Sequence, residues 1–202
     1  MVQRLLVKAV FVLALVLFGF NTPIYSKTYV VDKDHSHVGF SIKHMGIATV
    51  RGKFNDFKGT IQWSPEDEKQ KLQIDGEVDA RTIDTNNEKR DKHLKSRDFF
   101  NVRKFKTITL STSKAIKKSE KANIFSVEAY LTLTGVTEPV KGKVIVIDRN
   151  LTHKGRRVIS LQGSFSFDRM EYGMVYNKLM DWGDFLIGNI VHVTIDIEAY
   201  EK

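Results

Sequence analysis

The 202-residue chain has no cysteine and only three prolines. Without cysteine it has no disulfide, no catalytic thiolate and no cysteine ligand for a metal ion. Proline, at positions 23, 65 and 139, is too rare to interrupt regular structure over most of the chain. A chain of this length can bury a core that is stable without cross-links. The folded state must therefore depend on side-chain packing.

Long apolar runs are also absent, apart from one at the N-terminus. Ala9–Phe20 holds twelve consecutive apolar residues after two basic residues, which suits the core of a signal peptide and is short for a membrane span. We expect residues 1–26 to be a signal peptide that is cleaved after Ser26, and residues 27–202 to form one domain. A retained N-terminal anchor is the alternative. Loss of residues 1–26, which carry two basic and no acidic residues, changes the net charge from +8 to +6.

Apolar and polar residues alternate along most of the remaining chain, as in β-strands with one buried face. Val38, Phe40 and Ile42 share one face of such a segment, and Val191–Ala199 alternates in the same way. The alternation slips by one position at residues 55–56, which predicts a bulge or corner there. About eight or nine segments show the pattern, and the continuous apolar runs of parallel strands are missing. We therefore predict an all-β domain of antiparallel strands, closed into a barrel or stacked as a sandwich.

Small residues recur on the predicted inner face of the sheet. They are Gly52, Gly59, Gly76, Ala80, Ala129 and Gly163. A barrel of about eight strands has an interior that side chains can fill or that can hold one ligand. Small inner residues favour an unfilled cavity, whereas glycines that mark bends in the sheet are compatible with a solid core. The pattern by itself leaves both interpretations open.

One helical segment is predicted at Arg90–Asn101, a dense run of charges that contains two adjacent phenylalanines. Thr85 and Glu88 have the spacing of a capping box, which predicts Thr85 as the residue that caps the helix. A charged helix beside an antiparallel sheet closes its open end and faces solvent. Phe99 and Phe100 would then plug the apolar interior.

Polar residues near the predicted opening are candidates for binding a head group. Arg90 or Arg97 would meet an anionic group such as a phosphate. His44 continues the apolar row of its strand and would lie at the rim, where it either bonds a head group or serves as a buried structural imidazole. His35 and His37 have a spacing that can hold a metal, but no third ligand is evident, so a surface pair is the better interpretation.

A 21-residue segment, Asp168–Gly188, separates two of the clearest strands and is rich in methionine and aromatic residues. Loops of this length are uncommon in compact domains unless they are functional. Methionines such as Met170 adapt to ligands of variable shape, and exposed apolar surface of this extent marks an interaction site. A lid over a cavity, a dimer contact and core packing are three open interpretations of the segment.

Motifs of common enzyme classes are absent, including the nucleophile elbow, the phosphate-binding loop and the zinc-protease helix. We therefore predict that the protein is not an enzyme. The alternative is a hydrolase or isomerase that uses His44 and a nearby carboxylate on a bound lipid or quinone. The isoelectric point near 9.5 suggests nucleic acid, but the basic residues are scattered and export argues against that partner. A transient contact with an anionic membrane surface fits better.

Six blocks occur in an order that resembles the YceI-like family over about Lys27–Lys202. They are His35–Phe40, Gly52–Gly59, Arg90–Asn101, Leu131–Thr137, Asp168–Gly173 and Ile187–Ile197. The resemblance implies an eight-stranded antiparallel lipocalin-like β-barrel with one short helical insert. It also implies a bacterial protein that is periplasmic or secreted, and a homodimer.

The same resemblance implies a polyisoprenoid or similar long-chain fatty amphiphile inside the barrel, held for transport, storage or stress protection and without a cofactor or metal. Each buried methylene contributes about 0.8 kcal/mol, so a dozen contribute roughly 10 kcal/mol before the costs of association. One departure from the family is Lys106, which stands where proline is common. The predicted ligand-binding residues are Phe40, His44, Phe54, Phe57, Val78, Arg90, Phe99, Phe100, Leu131, Phe165, Met170 and Val193.

Overall fold

The computed structural model describes residues 26–65, 71–119, 123–181, 183 and 185–202. The predicted signal peptide lies outside this part of the chain, except for Ser26. The strands are β1 (Lys27–His44), β2 (Ala48–Phe54), β3 (Phe57–Trp63), β4 (Gln73–Asp79), β5 (Ile83–Asp84), β6 (Thr107–Lys117), β7 (Ile124–Leu133), β8 (Val136–His153), β9 (Arg156–Asp168) and β10 (Ile187–Glu201). The helical elements are α1 (Glu88–Leu94) and two 3-10 turns, Ala80–Thr82 and Arg169–Tyr172.

The strands form one antiparallel sheet that closes on itself because β10 pairs with β1. β1 is long enough to pair with β3 along its first half and with β2 along its second half. β2 and β3 therefore act as one bent strand of the wall, and the two-residue β5 is a short extension beside β2. The result is an eight-stranded barrel with one short α-helix, as the sequence predicts, and the sandwich alternative is wrong.

The corner predicted at residues 55–56 is confirmed at the break between β2 and β3. Backbone hydrogen bonds hold it on both sides: the amide of Asn55 donates to the carbonyl of Thr82, and the amide of Asp79 donates to the carbonyl of Asp56. The amide of Asp56 donates to the Thr82 hydroxyl at 3.0 Å. Polar side chains suit this position because the ladder is interrupted and its free backbone groups need other partners.

Helix α1 differs from its prediction at both ends. Its cap is Asn87, whose side-chain oxygen accepts from the Arg90 amide at 2.9 Å. The predicted capping box at Thr85 is wrong, because the Thr85 hydroxyl donates to Asp91 instead. After Leu94 the chain continues in tight turns that bring Phe99 and Phe100 under the helix terminus, with the Phe100 amide bonded to the Leu94 carbonyl at 3.0 Å.

The two ends of the barrel are packed differently. One end is filled with large side chains that are at most 1% exposed, namely Tyr29, Trp63, Phe125 and Ile159, together with Ala199. Towards the other end the inward-facing residues are only half-buried, although they lie on the inner face of their strands and not on the outer, solvent-facing one. These half-buried residues include Val38, Phe40, Ile42, Val78, Ile108, Phe165, Phe167, Val193 and Ile195. The barrel is therefore sealed at one end and hollow towards the other.

Candidate functional site

A cavity of about 610 Å³ occupies the hollow part of the barrel. Pockets that hold small ligands measure about 300–1,000 Å³. The wall is formed by aliphatic and aromatic side chains from every barrel strand, with few polar atoms among them. An apolar space of this size gains free energy when it is filled by hydrocarbon, because the wall then regains the dispersion contacts that it lacks.

The inner glycines serve two different purposes. At Gly52 an added Cβ would lie 2.4 Å from the Phe40 ring, and at Gly59 it would lie 2.8 Å from the Asp75 carbonyl. These two glycines are required by close packing. At Gly76, which also lines the cavity, an added Cβ would meet nothing within 4 Å. The open space beside Gly76 supports the unfilled cavity, and the solid core of the alternative interpretation is wrong.

Aromatic side chains cover the cavity. Phe100 packs against Phe54, with ring centroids 5.9 Å apart and an interplanar angle of 86°. Phe99 contacts Tyr176 and His93, whose rings also pack edge-on with a centroid distance of 4.8 Å. These contacts join the turn after α1 to the segment that precedes β10. They place Phe99 and Phe100 as a plug on the apolar interior, as the sequence predicts.

The segment before β10 is fixed by a buried arginine. Arg169 is 2% exposed, and its guanidinium donates to the carbonyls of Gly188, Met174, Tyr176 and Ile187. Desolvation by burial holds the pKa of Arg169 below its ordinary value. Because all four acceptors are main-chain oxygens, one side chain holds both arms of the Asp168–Gly188 segment against the barrel.

The contacts of the Asp168–Gly188 segment bear on the three interpretations given for it from the sequence. Met174 is buried in the core and Tyr176 lies in the cover, so core packing and the lid each describe a part of it. Val175, Leu179 and Phe185 remain more than half exposed. Their exposure is compatible with the dimer contact, which stays a prediction.

The open side of the cavity is lined by basic residues. They are Lys43, His44, Lys89, Arg90, His93 and Lys178. Arg90 is half-buried and is held by Thr85: its Nε donates to the Thr85 hydroxyl and its Nη2 to the Thr85 carbonyl, both at 2.7 Å. The lining carboxylates Asp75 and Glu77 belong to β4, where Glu77 pairs with Lys58 at 3.2 Å.

Eleven of the twelve predicted ligand-binding residues line the cavity. Met170 does not line it and is 37% exposed on the 3-10 turn, so its placement at the cavity is wrong. On that turn it is the neighbouring Arg169 that points inward. Whether the eleven residues touch a ligand stays a prediction.

Three lysines and a tyrosine at the mouth have no counterpart in the sequence prediction. Lys43, Lys89, Lys178 and Tyr176 come from three segments that are far apart in the chain. Nothing in their local sequence separates them from other surface residues. Only the closure of the barrel and the path of the Asp168–Gly188 segment bring them together.

The histidine pair is separated by a bulge in β1. Four residues of β1, 33–36, lie opposite a single residue of β10, and this turns His35 towards Asp32 and Glu198. The His35 Nδ1 lies 3.0 Å from the Asp32 carboxylate, which raises the pKa of His35 and lowers that of Asp32. His37 packs on Gly39 instead, so the two histidines do not form one site.

His44 lies at the rim, as its parity predicts. Within the described residues no carboxylate forms a hydrogen bond or ion pair with it. The catalytic alternative requires such a pair, and the described part of the chain does not provide one.

None of the helices that the structure describes has the length and apolar composition needed to cross a membrane.

A closed antiparallel barrel around one apolar cavity defines a lipocalin-like binding protein. The model of the YceI-like domain matches residues 29–199, and the chain therefore belongs to the YceI-like family. A UPF0312 protein of Pseudomonas aeruginosa strain LESB58 is 34% identical over 151 residues, which are 72% of this chain and 75% of that protein. Protein YceI of Salmonella arizonae is 36% identical over 134 residues, 64% of this chain and 66% of that protein.

Solved structures share the fold. Burkholderia cenocepacia BcnA superposes with a TM-score of 0.69 at 18% identity, over 83% of this chain and 98% of that chain. The Campylobacter jejuni YCEI protein gives 0.67 at 25% identity, over 85% and 96%. A polyisoprenoid binding domain from Saccharophagus degradans, implicated in plant cell wall breakdown, gives 0.63 at 12% identity, over 88% and 99%.

Proposed function

We propose that the protein is an exported carrier that holds a polyisoprenoid or similar long-chain amphiphile in its barrel. The observation that carries this proposal is the hollow: a cavity of about 610 Å³ with an apolar wall in a domain whose other end is tightly packed. The sequence contains enough large side chains to fill one end. An unfilled apolar space at the other end is costly unless a ligand occupies it.

Transfer from water supplies the affinity. A dozen buried methylenes contribute roughly 10 kcal/mol before the costs of association, so the wall needs to provide only shape and the exclusion of water. The polyisoprenoid class of ligand is supported by the domain from Saccharophagus degradans, which shares the fold and is called a polyisoprenoid binding domain. At 12% identity that likeness supports the class of ligand and not its chain length.

Transport rather than static storage is favoured by the surface around the mouth. Six of the ten exposed large hydrophobic residues in the described part of the chain belong to the segments near this end: Ile47, Met170, Val175, Leu179, Phe185 and Ile190. The backbone bond from Met45 to Leu186, 2.8 Å long, joins two of these segments. Apolar side chains beside Lys43 and Lys178 suit a transient contact with an anionic bilayer, from which a carrier collects its ligand.

Export and self-association complete the proposal. Export with cleavage near Ser26 is tested by the mass of the mature protein from a periplasmic or culture-fluid fraction. Light scattering tests the homodimer, which rests on family resemblance. A mature chain that retains residues 1–26 contradicts cleavage, and a monomer at all concentrations contradicts the dimer.

Mass spectrometry of lipids extracted from protein purified without detergent from its own compartment tests the proposed ligand. We expect a long-chain amphiphile at close to one molecule per barrel. The matched control is the Gly76→Leu variant, which partly fills the cavity and should retain less of the same lipid. Repeated preparations with no lipid in the unmodified protein would contradict the proposal.

A further inference from the structure

The mouth of the cavity gathers cations from three separate segments. β1 ends with Lys43 and His44, and His44 pairs with Ile187 at the start of β10. The Lys178 carbonyl accepts from the Leu186 amide at 2.9 Å, which places Lys178 beside the same end of β1. Helix α1 supplies Lys89 and Arg90 and is joined to this segment through the contact of His93 with Tyr176. All of these basic residues line the same cavity.

These cations are not neutralised by neighbouring acids. Within the described residues, Lys43, Lys89, Arg90 and Lys178 form no ion pair with a carboxylate. The neighbouring Asp91 is linked to Arg90 through Thr85, whose hydroxyl donates to Asp91 and accepts from the Arg90 Nε. A positive potential therefore persists at the mouth, and low-dielectric walls on one side strengthen it.

Arg90 is the most strongly preorganised of these cations. Its Nε and Nη2 are occupied by neutral oxygens of Thr85, so Nη1 remains able to donate. Arg90 is half-buried, and its two hydrogen bonds to Thr85 restrict the side chain before any ligand binds. A charge held in place by neutral acceptors offers a bound anion a partner without first breaking an ion pair.

We infer that the mouth selects amphiphiles with an anionic head group, a phosphate or a carboxylate, over neutral ones of the same chain. This inference rests on the proposed function, since it assigns the polar end of the same ligand. The chain lies inward against the apolar wall, and the head group lies between Arg90 and the three lysines. A neutral alcohol forms hydrogen bonds there but leaves the cations uncompensated.

Two probe pairs test the inference by isothermal titration: geranylgeranyl phosphate against geranylgeraniol, and palmitate against 1-hexadecanol. We expect the anionic member of at least one pair to bind about tenfold tighter or more. The pair that shows the larger ratio identifies phosphate or carboxylate as the preferred group. Raising the salt concentration should weaken binding of the anionic probe and leave the affinity for the alcohol unchanged.

A matched pair of triple variants separates local charge from net charge. Lys43→Gln, Lys89→Gln and Lys178→Gln together should reduce the preference for the anion severalfold and keep the alcohol affinity, because Arg90 remains. The control variant Lys53→Gln, Lys92→Gln and Lys114→Gln changes net charge equally at exposed positions outside the cavity lining and should retain the preference. Equal affinity for both members of each pair overturns the inference while the carrier function stands. Absence of binding by all four probes contradicts the carrier function itself.

Discussion

The ring of Phe100 meets the ring of Phe54 edge-on, with 5.9 Å between their centroids. One ring belongs to the covering segment and the other to the barrel wall, and both line the cavity. The cover is thus attached to the barrel by an apolar contact that faces the cavity. We therefore expect movement of the cover to affect ligand entry.

Replacing Phe100 with alanine should speed ligand release and lower stability. A fully buried phenylalanine contributes about 3–5 kcal/mol, so the half-buried Phe100 should contribute about 1–2 kcal/mol to unfolding. Stopped-flow dissociation of a fluorescent fatty acid and urea titration measure the two effects. Phe100→Leu, which keeps most of the apolar volume, should retain slow release. An unchanged release rate in Phe100→Ala would show that the plug does not retain the ligand.

Filling the cavity from Gly76 should weaken binding without destabilising the barrel. An added side chain at this position meets open space, and the glycine has no left-handed backbone angle that a leucine would strain. Gly76→Leu should lower the affinity for a sixteen-carbon probe by about tenfold, because room for several methylenes is lost. Thr109→Leu, on the outer face of the neighbouring β6, is the control. Equal binding by both variants would place the ligand elsewhere.

Removing the buried guanidinium should release the segment before β10. Arg169→Met leaves four carbonyls without their donor and should cost about 3 kcal/mol of unfolding free energy. Arg169→Lys should lose most of the same stabilisation, because an ammonium cannot reach all four carbonyl oxygens. Hydrogen exchange of residues 174–188 should rise in both variants and not in the exposed-site control Arg103→Met. Unchanged protection there would assign the restraint to other contacts.

The contact of His35 with Asp32 should be visible in the pH dependence of the imidazole. Because the folded-state pKa of His35 is raised, this contact stabilises the fold fully below the ordinary value of 6.5 and ceases to do so as pH rises through the folded pKa. At the acid end the lowered pKa of Asp32 sets the limit, and stability falls as pH drops through it.

An NMR titration of the His35 ring measures this effect directly. The pKa of His35 should lie above 6.5 in the unmodified protein, and Asp32→Asn should bring it down, since the Asp32 hydrogen bond is its largest cause. Asp34→Asn, which removes a charge with a smaller effect on the pKa of His35, should lower that pKa less. A value at 6.5 in the unmodified protein would mean that the ion pair is not formed in solution.

Strand parity predicts most of the cavity wall, because side chains on a strand alternate strictly between two faces. Phe40, Phe165 and Val193 line the interior for this reason. Parity also predicts His44 at the rim and the corner at residues 55–56, where the alternation changes phase. These features depend on local sequence, and one chain is enough to find them.

Features that depend on contacts distant in sequence could not be predicted in the same way. Thr85 and Asn87 are both good helix caps, and the choice of Asn87 follows from Thr85 being held by Arg90 and Asp91. The prediction that Met170 lines the cavity is wrong because a four-residue 3-10 turn has no clear periodicity, and this turn directs Arg169 inward instead. The hollow itself is a balance of volumes between distant strands, which alternation alone does not measure.

The unequal packing of the two ends predicts where the molecule moves. Around Trp63 and Phe125 the interior is solid, so amides there should exchange with solvent only when the whole barrel opens. Near Phe40 and Val193 the strands enclose empty space and lack that restraint. We therefore expect entry of a long chain to require only local opening of one rim, while the opposite end keeps the native topology.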